Sequence, residues 1–96
     1  YDGHYIARNV ILQCLYEALK SYEKAFEIRQ KNLPPEHPLL ADSYNRIGEL
    51  YVKMHRYSKG LLFIEHAIEL GERSLPANHP DLQLYKSNLK RFQKTC

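Results

Sequence analysis

The chain has few of the residues that characterise disulfide-bonded or membrane-spanning proteins. Its two cysteines, Cys14 and Cys96, lie near opposite ends, and neither has a second cysteine at metal-binding spacing. This cysteine usage predicts a reduced, cytoplasmic protein. No apolar run approaches the roughly 20 residues that a transmembrane helix needs, so we expect no membrane partner. The chain starts at Tyr1 rather than at methionine, and we expect it to be an excised fragment.

Motifs for catalysis or phosphate binding are also missing. The four glycines are scattered and form no phosphate-binding loop, and there is no nucleophile elbow. His37 and His79 stand before prolines, and we interpret them as helix-capping residues rather than metal ligands. Glu65 and His66 are adjacent, so on a helix their side chains point about 100° apart and form no catalytic dyad. We therefore predict no enzyme activity, no catalytic or metal-binding residue and no cofactor.

The charge of the chain is balanced along its length. The net charge is +3, but acidic residues are distributed among the basic ones and no single-sign run forms. This pattern predicts no nucleic-acid partner. A hydrophobic content of 44% with 26% charged residues is ordinary for a folded globular domain.

An internal repeat organises the sequence. The segment Leu33–Pro38 recurs as Leu75–Pro80, an offset of 42 residues. The same offset relates Val10 to Val52, Leu19 to Leu61, Glu23 to Glu65, Ala25 to Ala67, Glu27 to Glu69 and Leu40 to Leu82. A fixed period between about 20 and 50 residues is the signature of a repeat architecture.

Proline positions and apolar spacing predict helices. We expect residues 1–13 to be the second half of one helix and residues 15–33 to be another, ended by Pro34 and Pro35. Pro38 and Pro80 should each occupy the first position of a helix. Apolar residues at intervals of three and four mark the helix faces: Leu15, Ala18, Leu19, Tyr22, Ala25, Phe26 and Leu33; Leu40, Tyr44, Ile47, Tyr51 and Met54; Tyr57, Leu61, Ile64, Ala67, Ile68 and Leu75; Leu82, Tyr85, Leu89 and Phe92.

A short break at His55 and Arg56 separates the second and third of these patterns. So short a turn predicts antiparallel helices. No stretch alternates with period two over the length of a strand, so we predict an all-α protein.

The segment Tyr44–Tyr51 resembles the first helix of a tetratricopeptide repeat (TPR). That family's pattern of aromatic, apolar, small and aromatic residues is matched by Tyr44, Ile47, Gly48 and Tyr51, and its second helix is matched by Gly60, Ile64 and Ala67. The 42-residue period with a His-Pro loop is similar to the repeats of kinesin light chains.

The resemblance implies antiparallel helix pairs stacked as an α-solenoid, a fragment of a right-handed superhelix. We expect one domain over residues 1–96. Residues 1–37 would be a partial repeat, residues 38–79 a complete repeat, and residues 80–96 a capping or partial-repeat helix.

The chain departs from the family pattern in three places. His55 stands where the family usually has glycine, so we expect a positive φ at a cost of roughly 1 kcal/mol. Gly60 replaces the usual alanine inside a helix, with a similar expected penalty relative to alanine. In the last helix Lys86, Lys90 and Gln93 align with Tyr44, Gly48 and Tyr51, which favours a cap or a decayed repeat.

The resemblance also implies a function, which is protein–protein interaction in an adaptor or scaffold role. In similar proteins the first helices of successive pairs line a concave groove that holds an extended peptide. The matching positions, expected to face away from the apolar stripe, are Asp42, Asn45, Glu49, Val52, Lys53, Ser87, Asn88 and Arg91. We expect Asn45 to be the best candidate, since its amide can pair with both polar groups of a peptide backbone. Lys53 and Arg91 could receive a carboxylate, although any of these residues could equally be a solvated surface position.

Self-association is the alternative function. A repeat array is usually stable only with about three or more repeats. The apolar residues Tyr5, Ile6, Val10, Ile11 and Leu12 need a neighbour, which a second copy could supply by stacking end to end or by exchanging a helix.

Overall fold

A computed structural model describes the backbone of residues 3–94 and the side chains of residues 9–94. Within that range the chain forms four α-helices and no strand: α1 (Gly3–Asn32), α2 (Pro38–Lys53), α3 (Tyr57–Ser74) and α4 (Pro80–Gln93). The all-α prediction is confirmed for this range. None of these helices has the length and apolar character needed to cross a membrane. The predictions about Tyr5, Ile6 and Cys96 concern side chains outside the described residues.

The first helix differs from the sequence-based prediction. The predicted break between residues 13 and 15 is wrong, because α1 runs without interruption from Gly3 to Asn32. Leu12, Gln13 and Leu15 are good helix formers, and no proline or glycine stands near them to end the helix. At about 1.5 Å per residue, α1 is roughly 20 Å longer than α2. Its residues 9–14 are all exposed.

The two His-Pro loops have the same structure. The backbone N–H of His37 donates to the carbonyl of Pro34 at 3.1 Å, and that of His79 donates to Pro76 at 3.0 Å. Each histidine is the N-cap of the following helix, and its Nδ1 accepts a hydrogen bond of 3.1 Å from the backbone two residues on. Pro38 and Pro80 then open α2 and α4. The predicted capping role of both histidines is therefore confirmed.

The turn between α2 and α3 depends on His55. Its φ of 63° is in the left-handed region, which confirms the sequence-based expectation. This conformation lets the backbone N–H of Arg56 reach back to the carbonyl of Tyr51 at 2.8 Å, as helix C-terminal motifs do. The chain reverses direction there, so that α2 and α3 pack side by side as antiparallel helices.

Two glycines form the closest contact in the core. A Cβ atom added to Gly48 would lie 2.8 Å from the carbonyl oxygen of Gly60, and one added to Gly60 would lie 2.8 Å from that of Gly48. The expectation that Gly60 costs stability relative to alanine is therefore wrong, since alanine has no room there. The small residues at both positions let α2 and α3 pack backbone to backbone.

α2 is the central helix, because it contacts α1, α3 and α4. One cluster of buried apolar residues, Leu19, Ile47, Leu50 and Tyr51, joins α1 to α2. A second cluster joins α2, α3 and α4 through Leu40, Ala41, Ala67, Leu70, Leu82 and Tyr85. The predicted helix faces thus pack as expected, and α2 keeps only a narrow exposed strip.

Candidate peptide-binding surface

The exposed strip of α2 consists of charged residues spaced by three and four positions. Asp42, Arg46, Glu49 and Lys53 follow one another along this face. We call these four residues the α2 strip. Two of its members form an ion pair, in which Arg46 Nε donates to Asp42 Oδ2 at 2.9 Å.

The ion pair favours the charged form of Arg46. The hydrogen bond to Asp42 and the attraction between the two charges raise the pKa of the Arg46 guanidinium above its usual value. Both side chains are partly exposed, so the pair itself adds little stability. Lys53, by contrast, makes no ion pair with any described residue and can interact with a carboxylate of a ligand.

A chain of polar side chains connects the α2 strip to α4. Asn45 Nδ2 donates to Glu49 Oε1 at 3.0 Å, and Asn88 Nδ2 donates to Asn45 Oδ1 at 3.2 Å. Arg91 Nη2 donates to Asn88 Oδ1 at 3.1 Å. Arg91 is therefore linked to Glu49 through two asparagines, and the bond between Asn88 and Asn45 is the one that joins α4 to α2.

The two asparagines in this chain are buried, which the sequence-based prediction did not expect. Asn45 is 2% exposed and Asn88 is 3% exposed. Val52 is also buried, and its Cγ2 lies against Gly60. The prediction that these three side chains face away from the packed side of their helices is wrong. The physical reason is that α2 has three neighbouring helices, so the faces next to its main stripe are covered as well.

The other predicted positions lie at the surface. Lys53, Ser87 and Arg91 are exposed, whereas Asp42 and Glu49 are half-buried. Of the eight predicted residues, hydrogen bonds link Glu49, Asn45, Asn88 and Arg91, and Lys53 lines one depression with Glu49. Their hydrogen bonds to each other and to Glu49 already use part of the amide capacity that a peptide backbone would need.

Sequence reasoning missed Arg46 and Tyr22. Both line a shallow depression at the edge of the strip, together with Glu49, Leu50 and Lys53. Arg46 could have been found from its position four residues after Asp42, which is the spacing of a helical ion pair. Tyr22 could not, because its place beside the strip depends on how α1 packs on α2.

The contact between α2 and α4 also contains a buried tyrosine. Tyr85 packs with Leu40 and Ala41 in the core. Burial, and to a smaller extent the charges of Asp42 and Asp81, raise the pKa of its phenol. The phenol is thus less acidic than that of an exposed tyrosine, and its ring is part of the buried core.

Within the described part of the chain, no group of three or more histidine, cysteine, aspartate or glutamate side chains could hold a metal ion. The geometry of the strip is instead that of a polar surface on a helical frame.

A family model for the tetratricopeptide repeat matches residues 10–77, which is more than half of the chain. The chain belongs to the tetratricopeptide repeat family. No curated protein matches it.

The family match indicates a general role for the domain. TPR domains generally mediate protein–protein interactions. The match includes all of α2 and α3 and most of α1, and it ends before α4 begins at Pro80. The residues that sequence analysis identified as TPR positions pack as a TPR helix pair requires: Gly48 and Ala67 are buried where α2 meets its neighbours, and Tyr44 and Tyr51 both contact Phe63 of α3.

Proposed function

We propose that this TPR domain binds an extended peptide segment of a partner protein on the α2 strip and the adjoining face of α4. The supporting observation is the hydrogen-bonded chain from Glu49 through Asn45 and Asn88 to Arg91. It holds the cationic head of Arg91 at a defined position relative to the strip. A preorganised polar surface binds a ligand at a lower entropic cost than a mobile one.

The charges of this surface favour a ligand that carries carboxylates. Asp42 is neutralised by Arg46, and Glu49 accepts a hydrogen bond from Asn45. Lys53 and Arg91 are exposed cations on this surface that can donate charge-assisted hydrogen bonds to a ligand carboxylate. Asn45 and Asn88 would contribute mainly by positioning these groups, and Ser87 adds an exposed hydroxyl on α4.

The proposed architecture follows the family. Residues 1–37 would be a partial repeat, residues 38–79 a complete repeat, and residues 80–96 a capping or partial-repeat helix. Stacked in this order, the helices would form part of a right-handed α-solenoid of the kinesin-light-chain-like subtype, with α2 and α4 on its concave side. The domain would be a non-enzymatic adaptor or scaffold module in the cytoplasm, in keeping with its cysteine usage.

A peptide-display screen tests the proposal. Disordered peptides would be selected against the purified chain, and each hit would be measured again with a Lys53→Ala/Arg91→Ala variant. A Lys24→Ala/Arg73→Ala variant is the matched control, because it removes one lysine and one arginine from exposed positions away from the strip. Thermal unfolding of each variant would show that the fold is intact.

We expect acidic peptides to be selected and to bind the first variant at least tenfold more weakly, because charge-assisted hydrogen bonds are lost. The control variant should bind them as the wild type does. Equal binding to both variants would mean that the ligand occupies another surface.

A further inference from the structure

The net charge of the chain is concentrated on its last helix. From Pro80 to Lys94 there are four basic residues and one acidic residue, so this segment has a net charge of +3. The whole chain has 14 basic and 11 acidic residues, and subtracting those of the segment leaves ten of each kind elsewhere. The helix α4 is therefore a cationic helix on an otherwise neutral molecule.

Three of these basic residues share one exposed face of α4. They are Lys90, Arg91 and Lys94, and we call them the α4 cations. They follow Ser87 at intervals of three, four and seven residues, which places all four side chains on the same face of a helix. All four are exposed, whereas the opposite face of α4 is buried in the core through Tyr85. The α4 cations thus form one continuous positive surface.

Lys90 and Lys94 lack the acidic partner that a helix can provide. Arg46 on α2 pairs with Asp42 four residues earlier, but the residues four positions before Lys90 and Lys94 are Lys86 and Lys90. Neither lysine forms an ion pair with any described residue. Like charges at this spacing repel each other, and the negative end of the helix dipole offsets the repulsion only in part. A ligand with carboxylates would relieve it.

The neighbouring α2 strip has no net charge. It contains two acidic and two basic residues, and Arg46 is paired with Asp42. The hydrogen bonds from Arg91 to Asn88 at 3.1 Å and from Asn88 to Asn45 at 3.2 Å join α4 to α2 beside the strip. A ligand that crosses both surfaces therefore meets positive charge at one end of its path and balanced charge at the other.

The surroundings of the α4 cations favour an acidic protein segment over a nucleic acid or a membrane. Proteins that bind single-stranded nucleic acids combine cations with aromatic side chains on which the bases stack. The helix α4 lies wholly within the described range, and none of its exposed residues is aromatic. A helix that lies on a membrane needs an exposed apolar face, whereas the apolar face of α4, with Leu82 and Tyr85, is buried.

We propose that the bound peptide segment is bipartite. A short acidic cluster at one of its ends lies on the α4 cations, and a polar part without net charge lies on the α2 strip. Ser87 and Lys94 are about 10 Å apart along the helix axis, a distance that an extended peptide covers with about three residues, which sets the length of the cluster. The inference rests on the proposed peptide binding and adds Lys90 and Lys94 as residues that determine ligand specificity.

Fluorescence anisotropy with defined peptides at low salt tests the proposal. Three labelled peptides would share one composition, glutamates in a background of serine, asparagine and glycine, with the glutamates at the N-terminal end, at the C-terminal end or evenly spaced. One of the two clustered peptides should bind more tightly than the evenly spaced one. Lys90→Gln/Lys94→Gln should weaken that peptide about fivefold, as the loss of two exposed ion pairs would, and remove its advantage. Lys20→Gln/Lys24→Gln is the matched control, because it removes two exposed lysines at the same spacing from α1, which packs on α2 and not on α4 within the described residues. It should bind as the wild type does.

Equal binding of the three peptides would overturn the proposal, and so would a clustered-peptide advantage that persists in Lys90→Gln/Lys94→Gln. Tighter binding of a single-stranded oligonucleotide with the same number of negative charges would overturn it as well, because the occupant would then be a nucleic acid. The variant Lys53→Ala/Arg91→Ala separates this inference from the proposed function. If it weakens all three peptides while Lys90→Gln/Lys94→Gln binds them as the wild type does, peptide binding stands and the bipartite ligand is wrong. Absence of binding by every peptide would overturn both.

Discussion

Replacing Gly60 with alanine should destabilise the domain, although alanine is the better helix former. Alanine in place of glycine in a helix interior is favourable by about 1 kcal/mol on propensity alone. At position 60, however, the new Cβ would lie 2.7 Å from Val52 Cγ2 and 2.8 Å from the carbonyl oxygen of Gly48. The second contact is about 0.6 Å closer than ordinary van der Waals distance, and its partner is backbone, which cannot rotate away.

The size of the stability loss depends on how the two helices must move. To accept the methyl group, α2 and α3 must separate along their line of closest contact, which loosens the packing of Ile64 and Val52 around it. Overpacking of this kind costs about 1–3 kcal/mol and occasionally more. After the gain in propensity is subtracted, we expect a net loss of about 1–2 kcal/mol. For a chain of this size, whose total stability is on the order of 5–14 kcal/mol, such a loss is easily measured.

Urea unfolding followed by far-ultraviolet circular dichroism is the assay. Gly71→Ala is the matched control, because its Cβ would meet only side-chain atoms, with Leu82 Cδ1 nearest at 3.1 Å. Gly71→Ala should be neutral or slightly stabilising. Gly48→Ala should cost as much as Gly60→Ala, and the double variant should cost less than the sum, because both substitutions open the same contact. A stabilised Gly60→Ala variant would refute the close packing of α2 on α3.

Three further predictions concern the turn, the cap and the buried amides. His55→Gly should raise the unfolding free energy by up to about 1 kcal/mol, because glycine adopts positive φ without strain; lower stability would mean that the 3.0 Å contact between His55 Nδ1 and Tyr57 Oη outweighs the strain. His79→Ala should lower the thermal midpoint through the loss of about 1 kcal/mol of N-cap stabilisation, and His79→Asn should restore it, since asparagine is a good N-cap; equal midpoints for both variants would contradict the capping role. Asn45→Ala should cost about 1–3 kcal/mol in urea unfolding, because it leaves the buried Asn88 amide without its acceptor. Adding Asn88→Ala should then cost little more, and full additivity would show that the two amides are not coupled.

Local sequence signals predicted most of the helix boundaries. Pro38 and Pro80 open helices because a missing N–H is harmless at the first position. The His55 turn was predicted from a break in the apolar spacing, and its positive φ from the family resemblance. The prediction failed in α1, where residues 1–13 and 15–33 were expected to be separate helices although no residue ends the helix between them.

The candidate surface was predicted less well than the fold. The positions Asp42, Glu49 and Lys53 came from the family resemblance, and their spacing places them on one face of α2. The burial of Asn45 and Asn88 did not follow, since it depends on α4 packing against the side of α2. Helical spacing describes one helix against one neighbour, and α2 has three.

The sequence by itself determined the all-helical chain, the 42-residue repeat and the identical His-Pro caps. Each of these depends on interactions within a few residues: proline geometry, a side chain reaching the next turn, and apolar residues at helical spacing. The tertiary structure decided the rest. It set the contact of Gly48 with Gly60, the buried link between Asn45 and Asn88, and the exposure of residues 9–14 of α1. These features depend on where whole helices lie beside one another, and no local pattern carries that information.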